Sequence, residues 1–345
     1  MNVLMIGAGM VAQTHILALR DNQAGARLMG VLGRDAARVA PVCAEASLTL
    51  GYDVAPFTDI ETALAARPDM AIVITPPDAR TEFAHALSRA GVPTLMEKPV
   101  ERSLTNAREV VDIYARSDVT LGFCFQHRTR LAAQGLKQKL DGGTLGDLVH
   151  VEMRVPWWRD QSYYDAPGRG TYARDGGGVM INQAIHTLDL ALWLAGPVGQ
   201  VQAMMRTSPL HRMEAEDIAA ALFIFQTGAS GVLTATTTAY PGGTESITLT
   251  TTKARCHLEG DSLRVDWLSG DVEIVAPDDA VSTGGGADPM AFTHAWHQAI
   301  LEDFVAALSE TRPPLAPPDD ALHVHAVIDA MEQAARSGTV VEVVA

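Results

Sequence analysis

The sequence predicts an α/β protein that begins with a doubly wound parallel sheet. A short apolar run, Val3 to Ile6, leads into Gly7 and Gly9 and then into a helical pattern. Strand-like and helix-like segments go on alternating through the first third of the chain, which is typical of right-handed βαβ units. From Val201 onward, strand patterns with turn breaks follow one another, which indicates a second, strand-rich region.

Apolar segments of the first third predict the strands of a sheet that is buried on both faces. After Val3 to Ile6, we expect strands at Arg27 to Gly33, at Asp69 to Thr75, in "PTLMEKP" and in "VTLGFCF". Ligands of such sheets bind at the carboxyl ends of the strands. The residues expected at these ends are Gly7, Gly33, Thr75, Pro76, Glu97 and Lys98.

Size and composition limit the classes of function. The 345 residues allow about two domains, and 47% apolar residues supply a sizeable core. A formal net charge of −15 argues against a nucleic-acid partner, which normally meets a basic surface. The cysteines, Cys43, Cys124 and Cys256, show no paired spacing, so we expect reduced thiols without a disulfide framework or a zinc motif.

The sequence gives no sign of a membrane or of secretion. It opens on a strand pattern, "MNVLMIGAGM", rather than on a basic and then apolar leader. Uncharged apolar runs stay shorter than the roughly 18 residues that a membrane span requires. We therefore expect a cytoplasmic protein.

The first glycine turn is a candidate phosphate-binding site. Glycines let the backbone approach a pyrophosphate, and the following helix offers free N–H groups. Ala12 stands in place of the third glycine of the G-x-G-x-x-G pattern, a substitution that the pattern permits. We predict that the turn binds a dinucleotide through Gly7, Gly9, Met10 and Val11. The alternative is a plain turn between a strand and a helix.

The end of the second predicted strand bears on the choice between NAD and NADP. NAD-binding proteins usually carry Asp or Glu there, whereas an arginine can meet the 2′-phosphate of NADP. Here the order is Gly33, Arg34, Asp35. The cofactor prediction is NAD(P) with a slight preference for NADP read by Arg34. The alternative is that Arg34 and Arg38 are ordinary solvated charges at a helix start.

A charged pair, Glu97 and Lys98, precedes Pro99 at the end of another predicted strand. Proline excludes Lys98 from the helical region, so the chain turns there. A lysine at this point can project over a cofactor, where partial burial lowers its pKa and suits proton chemistry. A lysine solvated beyond the sheet is an equal alternative.

Taken together, four segments resemble the Gfo/Idh/MocA family of nicotinamide-dependent oxidoreductases. They are "GAGMVAQTH", "EKP", "GGGVMINQAIHTLDLALWLAGPV" and "AWHQAILEDFVAAL", in that order along nearly the whole chain. The resemblance implies a Rossmann domain, taken as residues 1–122, and an α/β domain with a large, mostly antiparallel open sheet at residues 123–345. It also implies a homodimer or homotetramer, formed through one face of that sheet.

The resemblance assigns roles to residues of this chain. The motif lysine matches Lys98, the helix histidine matches His186, and Asn182 stands where an aspartate is usual. Arg80 stands in a turn that often carries a histidine, and the second strand lacks a ribose-binding acid. Most members oxidise a ring hydroxyl of a sugar, cyclitol or sugar acid, or run the reverse reaction.

The implied chemistry needs a proton acceptor beside the hydride transfer. A neutral His186 is a suitable base, Lys98 would stabilise charge on the reacting oxygen, and Asn182 can hydrogen-bond a hydroxyl. Offsets of four and three residues place Asn182, His186 and Asp189 on one face of an α-helix. Asp189 either orients His186 or pairs structurally; the sequence leaves both open.

Aromatic and basic residues between Arg154 and Gly178 suggest a wall for the substrate. Aromatic faces stack on sugar rings, and arginines clamp carboxylates. The candidates are Trp158, Arg159, Tyr164 and Arg169, together with Asn182 and His186. The alternative is an aromatic loop at a subunit interface, where Trp, Tyr and Arg are also enriched. His127 and Arg128 are also expected near the pocket.

The leading functional prediction is a dehydrogenase or reductase that acts on CH–OH groups of a sugar-like small molecule. A sugar acid, which is anionic, is included in this substrate class. Alternatives are a redox-assisted glycosidase with tightly held NAD, a dehydrogenase of a non-sugar cyclic diol, and a non-enzymatic cofactor sensor. Helices are predicted around Ala291 to Leu308 and around Asp319 to Arg336, and their histidines lack carboxylates at ligand spacing, so we expect no metal. A glycine-rich loop is predicted at 282–289.

Overall fold

The computed structural model describes residues 1–276 and 292–344. The loop predicted at 282–289 lies outside these ranges. Among the described residues, no helix is both long enough and apolar enough to cross a membrane.

A six-stranded sheet, counted over the described ranges, is parallel throughout in the order β3-β2-β1-β4-β5-β6. Its strands are β1 (Asn2–Ile6), β2 (Arg27–Leu32), β3 (Ala55–Phe57), β4 (Met70–Val73), β5 (Thr94–Met96) and β6 (Leu121–Phe123). The intervening helices are α1 (Ala12–Asp21), α2 (Ala36–Leu50), α3 (Ile60–Ala65), α4 (Arg80–Arg89) and α5 (Leu104–Ala115). The predicted doubly wound parallel sheet is confirmed.

Local sequence explains the elements of this sheet. The apolar residues of β1 and β4 are fully buried, as expected of strands that helices cover on both faces. Side chains cap the helices: Asp35 accepts an N–H at the start of α2, Asp59 at the start of α3 and Ser103 at the start of α5. The local sequence therefore accounts for the buried strands of this sheet and for the residues at which these three helices begin.

A nine-stranded sheet, again over the described ranges, has the order β14-β13-β12-β11-β7-β10-β9-β8-β15. β7 and β10 are parallel, and the other neighbouring pairs are antiparallel. Its strands are β7 (Leu148–Pro156), β8 (Val198–Arg206), β9 (Ile218–Phe225), β10 (Ser230–Thr236), β11 (Ser246–Thr251), β12 (Ala254–Glu259), β13 (Ser262–Trp267), β14 (Val272–Val275) and β15 (Val341–Glu342). The large, mostly antiparallel sheet is confirmed.

Further helices follow along the chain. They are α6 (Leu131–Asp141), α7 (Gln161–Tyr164), α8 (Ile185–Ala195), α9 (Ala295–Glu310) and α10 (Pro318–Ser337). A π-helical turn, Met180–Ala184, precedes α8 directly. Burial alternates along β9 and β12, which shows that one face of each strand packs on the core while the other is accessible.

The chain divides into two compact units. The first comprises Met1–Gln126 and His294–Ala321, and the second His127–Thr293 and Leu322–Ala345. The sequence-based boundary instead placed all of 123–345 in the second domain. The difference lies mainly in α9, whose apolar residues Ile300, Leu301 and Phe304 belong to the core formed by β1, β2 and α1. Its helical pattern was visible in the sequence, but its packing partner was not.

Candidate cofactor and substrate sites

The glycine turn after β1 exposes backbone close to a helix start. Gly7 has φ = 118°, and a Cβ there would lie 2.8 Å from Cγ1 of Ile74, so only glycine fits. Gly9 and Met10 are exposed, and a Cβ at Gly9 would meet only the carbonyl oxygen of Ile74, at 3.9 Å. Within the described residues, no side chain caps α1 from its N-cap residue Val11. The first turn of α1 therefore has N–H groups to offer.

At the end of β2, the acidic residue serves the helix. The Oδ1 of Asp35 accepts the N–H of Ala37 at 2.9 Å and so caps α2. Arg34 and Arg38 are both exposed. An exposed arginine, Arg34, therefore follows this strand end, and the neighbouring carboxylate of Asp35 caps α2.

Arg80 ties the carboxyl ends of two strands together, a role that the sequence did not indicate. Its Nη2 donates to the carbonyl of Thr75 at 2.9 Å and to that of Lys98 at 3.4 Å, and its Nη1 donates to the carbonyl of Glu97. The side chain is buried, which lowers the pKa of the guanidinium to about 10. Thr75 is half-buried beside the exposed Pro76. The strand ends after β4 and β5 are thus held by one cation.

Glu97 is a buried carboxylate, not an exposed charge at the tip of the sheet. Its Oε1 lies 2.9 Å from Nε2 of His15 and 3.4 Å from Nε2 of His297. Burial raises the pKa of this carboxyl, but the hydrogen bonds from both histidines outweigh that effect and hold the pKa well below its ordinary value. Burial also lowers the pKa of His297.

Cys124 belongs to the same cluster. Ligand-type atoms of His15, Glu97 and Cys124 lie within 4.8 Å of one another. Burial, followed by the nearby Glu97 charge, raises the pKa of the Cys124 thiol well above its usual value. A neutral thiol beside a hydrogen-bonded carboxylate accounts for these three groups. The cluster joins α1, β6 and α9 to the end of β5.

Lys98 stands directly on this support. Its backbone N–H donates to the Oε2 of Glu97 at 3.2 Å, and its carbonyl accepts from Arg80. The residue is half-buried, and the peptide bond to Pro99 is cis. The backbone of Lys98 is therefore fixed on both sides by buried charged groups.

In the second unit, the glycine run leads into the π-helical turn and α8. Asn182 lies within the π-helical turn, and its Nδ2 donates to the carbonyls of Gly177 and Gly178 at 2.9 and 3.0 Å. The sequence predicted an α-helix here, with Asn182 and His186 one turn apart. The π-helical turn changes that spacing, and such turns are frequent at functional sites.

His186 is buried and stacks on a second histidine. The rings of His186 and His127 have centroids 4.8 Å apart at an interplanar angle of 27°. The Nε2 of His127 lies 2.7 Å from Nη2 of Arg130, and a guanidinium only donates hydrogen bonds. His127 therefore accepts at Nε2, which makes it the neutral tautomer with its proton on Nδ1.

The acidic residues near this stack are paired with arginines. Arg128 donates through Nε and Nη2 to the two carboxylate oxygens of Asp189, at 2.9 and 2.6 Å. Arg130 donates to Oε1 of Glu245 at 2.8 Å. Asp189 thus forms a buried ion pair with Arg128, as one of the two sequence-based alternatives expects.

The aromatic stretch contains both tied and accessible side chains. Arg159 is buried, with its guanidinium 5.3 Å from the ring of Trp157 and a hydrogen bond to the carbonyl of Trp158. Tyr164 is also buried, and its hydroxyl lies 2.7 Å from Oγ1 of Thr237.

The other two candidates of this stretch are partly accessible. Arg169 lies 5.2 Å from the ring of Tyr163 and 3.7 Å from the carboxylate of Asp175. Trp158 is half-buried, and its ring meets that of Tyr240 edge-on. Of the two arginines, only Arg169 is therefore accessible to a solute.

Comparisons with known proteins agree with this architecture. Residues 1–125 match the family described as "Oxidoreductase family, NAD-binding Rossmann fold", and residues 133–257 match the "GFO/IDH/MocA C-terminal domain". Together the two matches cover more than two thirds of the chain. The chain belongs to the Gfo/Idh/MocA family of oxidoreductases.

Individual relatives include two curated proteins. An inositol 2-dehydrogenase from Rhizobium meliloti (strain 1021) is 29% identical over 193 residues, which are 56% of this chain and 54% of that protein. A D-glucoside 3-dehydrogenase from Escherichia coli (strain K12) is 31% identical over 138 residues, which are 39% of this chain and 37% of that protein. These matches span about half, or less, of the relatives' own lengths.

A solved structure resembles the whole chain. The WlbA dehydrogenase from Chromobactrium violaceum, in complex with NADH and UDP-GlcNAcA, has a TM-score of 0.82 and 26% identity. The similarity covers 99% of this chain and 95% of that one.

The low pKa of Glu97 predicts an acid-sensitive fold. A carboxyl whose pKa is lower in the folded than in the unfolded chain stabilises the fold above the unfolded value. This contribution is lost as the pH falls below about 4.5, the ordinary value of a glutamate. We expect the free energy of unfolding of the wild type, measured in urea, to fall over this window.

Glu97→Gln should flatten that dependence, because the variant has no carboxyl to protonate. Glu61→Gln, at an exposed position, is the matched control and should keep the wild-type slope. Equal acid slopes for Glu97→Gln and the wild type would show that the buried cluster does not set the acid sensitivity.

Proposed function

We propose that this protein is an NAD(P)-dependent oxidoreductase. It transfers a hydride between the nicotinamide and a ring hydroxyl or carbonyl carbon of a sugar, cyclitol or sugar acid. The observation that carries the proposal is the glycine turn between β1 and α1 in a member of this family. The names of the relatives, which are dehydrogenases of inositol and of a D-glucoside, support the substrate class.

The residues of the turn fit a dinucleotide. Gly7 has no room for a side chain, and Gly9 leaves the backbone open to solvent. The first turn of α1 supplies N–H groups and the positive end of the helix dipole, which together suit a pyrophosphate. Gly7, Gly9, Met10 and Val11 would hold the phosphates. Thr75, Pro76, Glu97 and Lys98 would border the cofactor at the ends of β4 and β5.

The bound nicotinamide supplies the hydride acceptor or donor. The proton of the substrate hydroxyl leaves separately, and an imidazole nitrogen of His186 takes it. The neighbouring ring of His127 is neutral, so it adds no positive charge against protonation of His186. Lys98 donates a hydrogen bond to the reacting oxygen, and Asn182 orients a hydroxyl of the substrate.

Substrate binding is assigned to the aromatic stretch. Trp158 offers a partly exposed indole face for a sugar ring, and Arg169 offers an accessible guanidinium for a carboxylate or a hydroxyl. Arg159 and Tyr164 are buried and would support the substrate site indirectly. Arg159 contacts Trp157 and Trp158, and Tyr164 contacts Thr237. An anionic substrate would therefore rely on Arg169 rather than on Arg159.

The roles of Lys98 and His186 predict a specific loss. We expect Lys98→Met and His186→Ala to bind NADH or NADPH with wild-type affinity, because the turn after β1 is unchanged. Turnover should fall by about 10²- to 10⁴-fold, the usual contribution of a general base or an oriented donor. Cofactor fluorescence gives the affinity, and a screen of sugars, cyclitols and sugar acids gives the rate.

His85→Ala, at an exposed position on α4, is the matched control and should keep full activity. Wild-type activity in both test variants would refute the assigned roles. Cofactor binding without turnover of any polyol by the wild type would favour a cofactor sensor. Product formation without net NADH would favour a redox-assisted glycosidase.

We further propose that Arg34 gives a slight preference for NADP. Its exposed guanidinium follows the end of β2, and the nearest acid, Asp35, is engaged in capping α2. We expect NADPH to bind more tightly than NADH, by up to about tenfold, and Arg34→Ala to remove the difference. Arg116→Ala, at an exposed site directly after α5, should leave both affinities unchanged. Tighter binding of NADH by the wild type would refute the preference.

We also propose a homodimer or homotetramer, formed through the open face of the nine-stranded sheet. Leu222, Ile224 and Met204 are roughly half exposed on adjacent strands of this face, and Val232 lies beside Leu222. An apolar patch of neighbouring residues favours a protein partner over water. A second copy of the chain is the partner that the family resemblance implies.

Leu222→Asp should shift the mass measured by light scattering toward the monomer, because each subunit would have to bury an unpaired carboxylate in the proposed interface. Leu48→Asp, at an exposed leucine on α2, is the control and should keep the wild-type mass. A monomeric wild type at micromolar concentration would refute the proposed assembly.

A further inference from the structure

The glycine run that precedes Asn182 and His186 is gripped by one carboxylate from a distant loop. The Oε2 of Glu216 accepts the N–H of Gly178, and its Oε1 accepts the N–H of Met180, both at 3.0 Å. The backbone carbonyl of Glu216 accepts the N–H of Val179 at 2.8 Å. Three successive N–H groups at the start of the π-helical turn therefore end on Glu216.

The glycine at this contact is required by the grip. A Cβ at Gly178 would lie 1.8 Å from the carbonyl oxygen of Glu216 and 2.8 Å from its Cδ. No side chain fits there unless the loop of Glu216 moves away. The absence of a side chain at Gly178 therefore lets Glu216 reach the backbone of this segment.

We propose that Glu216 is a positioning residue for the segment that carries Asn182 and His186, and that it holds both N–H groups with its two oxygens only when it is ionised. A carboxylate offers an acceptor to each N–H group, whereas a protonated carboxyl turns one oxygen into a donor. Negative charge also suits the start of a helical segment. This inference rests on the proposed function for its consequence in catalysis, but not for its geometry.

The surroundings of Glu216 tune this ionisation. The pKa of Glu216 is raised to about 7, mainly by burial and also by the negative charge of Glu332, while the N–H groups of Met180 and Gly178 oppose the rise. Glu332 itself is paired with Arg336. Tyr172 is a further titratable group near Glu216; burial raises the pKa of its hydroxyl, and the Glu216 charge adds to this rise.

The grip is tested first without any activity measurement. With selective ¹⁵N-methionine labelling, the Met180 amide proton should titrate with a midpoint near pH 7, as a donor to a titrating carboxylate does. Met180→Leu identifies the resonance. The midpoint should move to lower pH in Glu332→Gln, and the titration should vanish in Glu216→Gln. Glu310→Gln, an exposed site on α9, should leave the midpoint unchanged.

The positioning role is tested by the pH profile of kcat. In Glu332→Gln, the acid limb should move to lower pH together with the Met180 midpoint. Glu216→Gln should lower kcat about 10- to 100-fold with unchanged affinity for NADH, because a small displacement of a reacting group costs about that much. A side chain that merely stabilises the fold would leave the acid limb where it is.

The outcomes separate this inference from the proposed function. A Met180 amide that does not titrate between about pH 5.5 and about pH 9 would overturn the ionisation-dependent grip. A midpoint that moves in Glu332→Gln while the acid limb stays fixed would overturn the positioning role. Absence of any NAD(P)-dependent turnover in the wild type would refute the proposed function, and the Met180 titration would still decide the grip.

Discussion

The constraint on which the structure depends most is the pairing of two buried charged groups at the carboxyl edge of the parallel sheet. Glu97 and Arg80 are both buried there, and an unpaired charge at either position would be strongly destabilising. Hydrogen bonds with two histidines offset the free-energy cost of burying the Glu97 carboxylate. Hydrogen bonds to three backbone carbonyls do the same for the Arg80 guanidinium. Buried contacts therefore hold the strand ends that would border a cofactor, and the same contacts fix the backbone of Lys98.

The second unit repeats this solution with different residues. The pairs Arg128–Asp189 and Arg130–Glu245 bury their charges beside the stack of His127 and His186. Because Arg130 donates to His127, the stacked neighbour of His186 stays neutral. A neutral neighbour adds no repulsion when His186 takes up a proton, so the hydrogen bond from Arg130 bears on the proposed reactivity as well as on stability.

The sequence predicted features that depend on neighbouring residues and missed those that depend on distant ones. The turn at Gly7, the alternating strands and the helix after the glycine run are all local patterns. Arg80 looked like a departure from a motif, because its three acceptors lie elsewhere along the chain. The π-helical turn at Met180–Ala184 was likewise invisible, and so was the contact of Glu216 with Gly178, because these two residues are 38 positions apart in the sequence.

A common division of labour links Lys98 and His186. The backbone next to Lys98 is held by Glu97 and Arg80 at the strand end. The glycine run that precedes His186 is held by Asn182 and Glu216. A group that is proposed to react keeps its geometry on such a support because the backbone beneath it is held in place. The supports must then be buried and charged, and this explains why both regions accept costly carboxylates far from solvent.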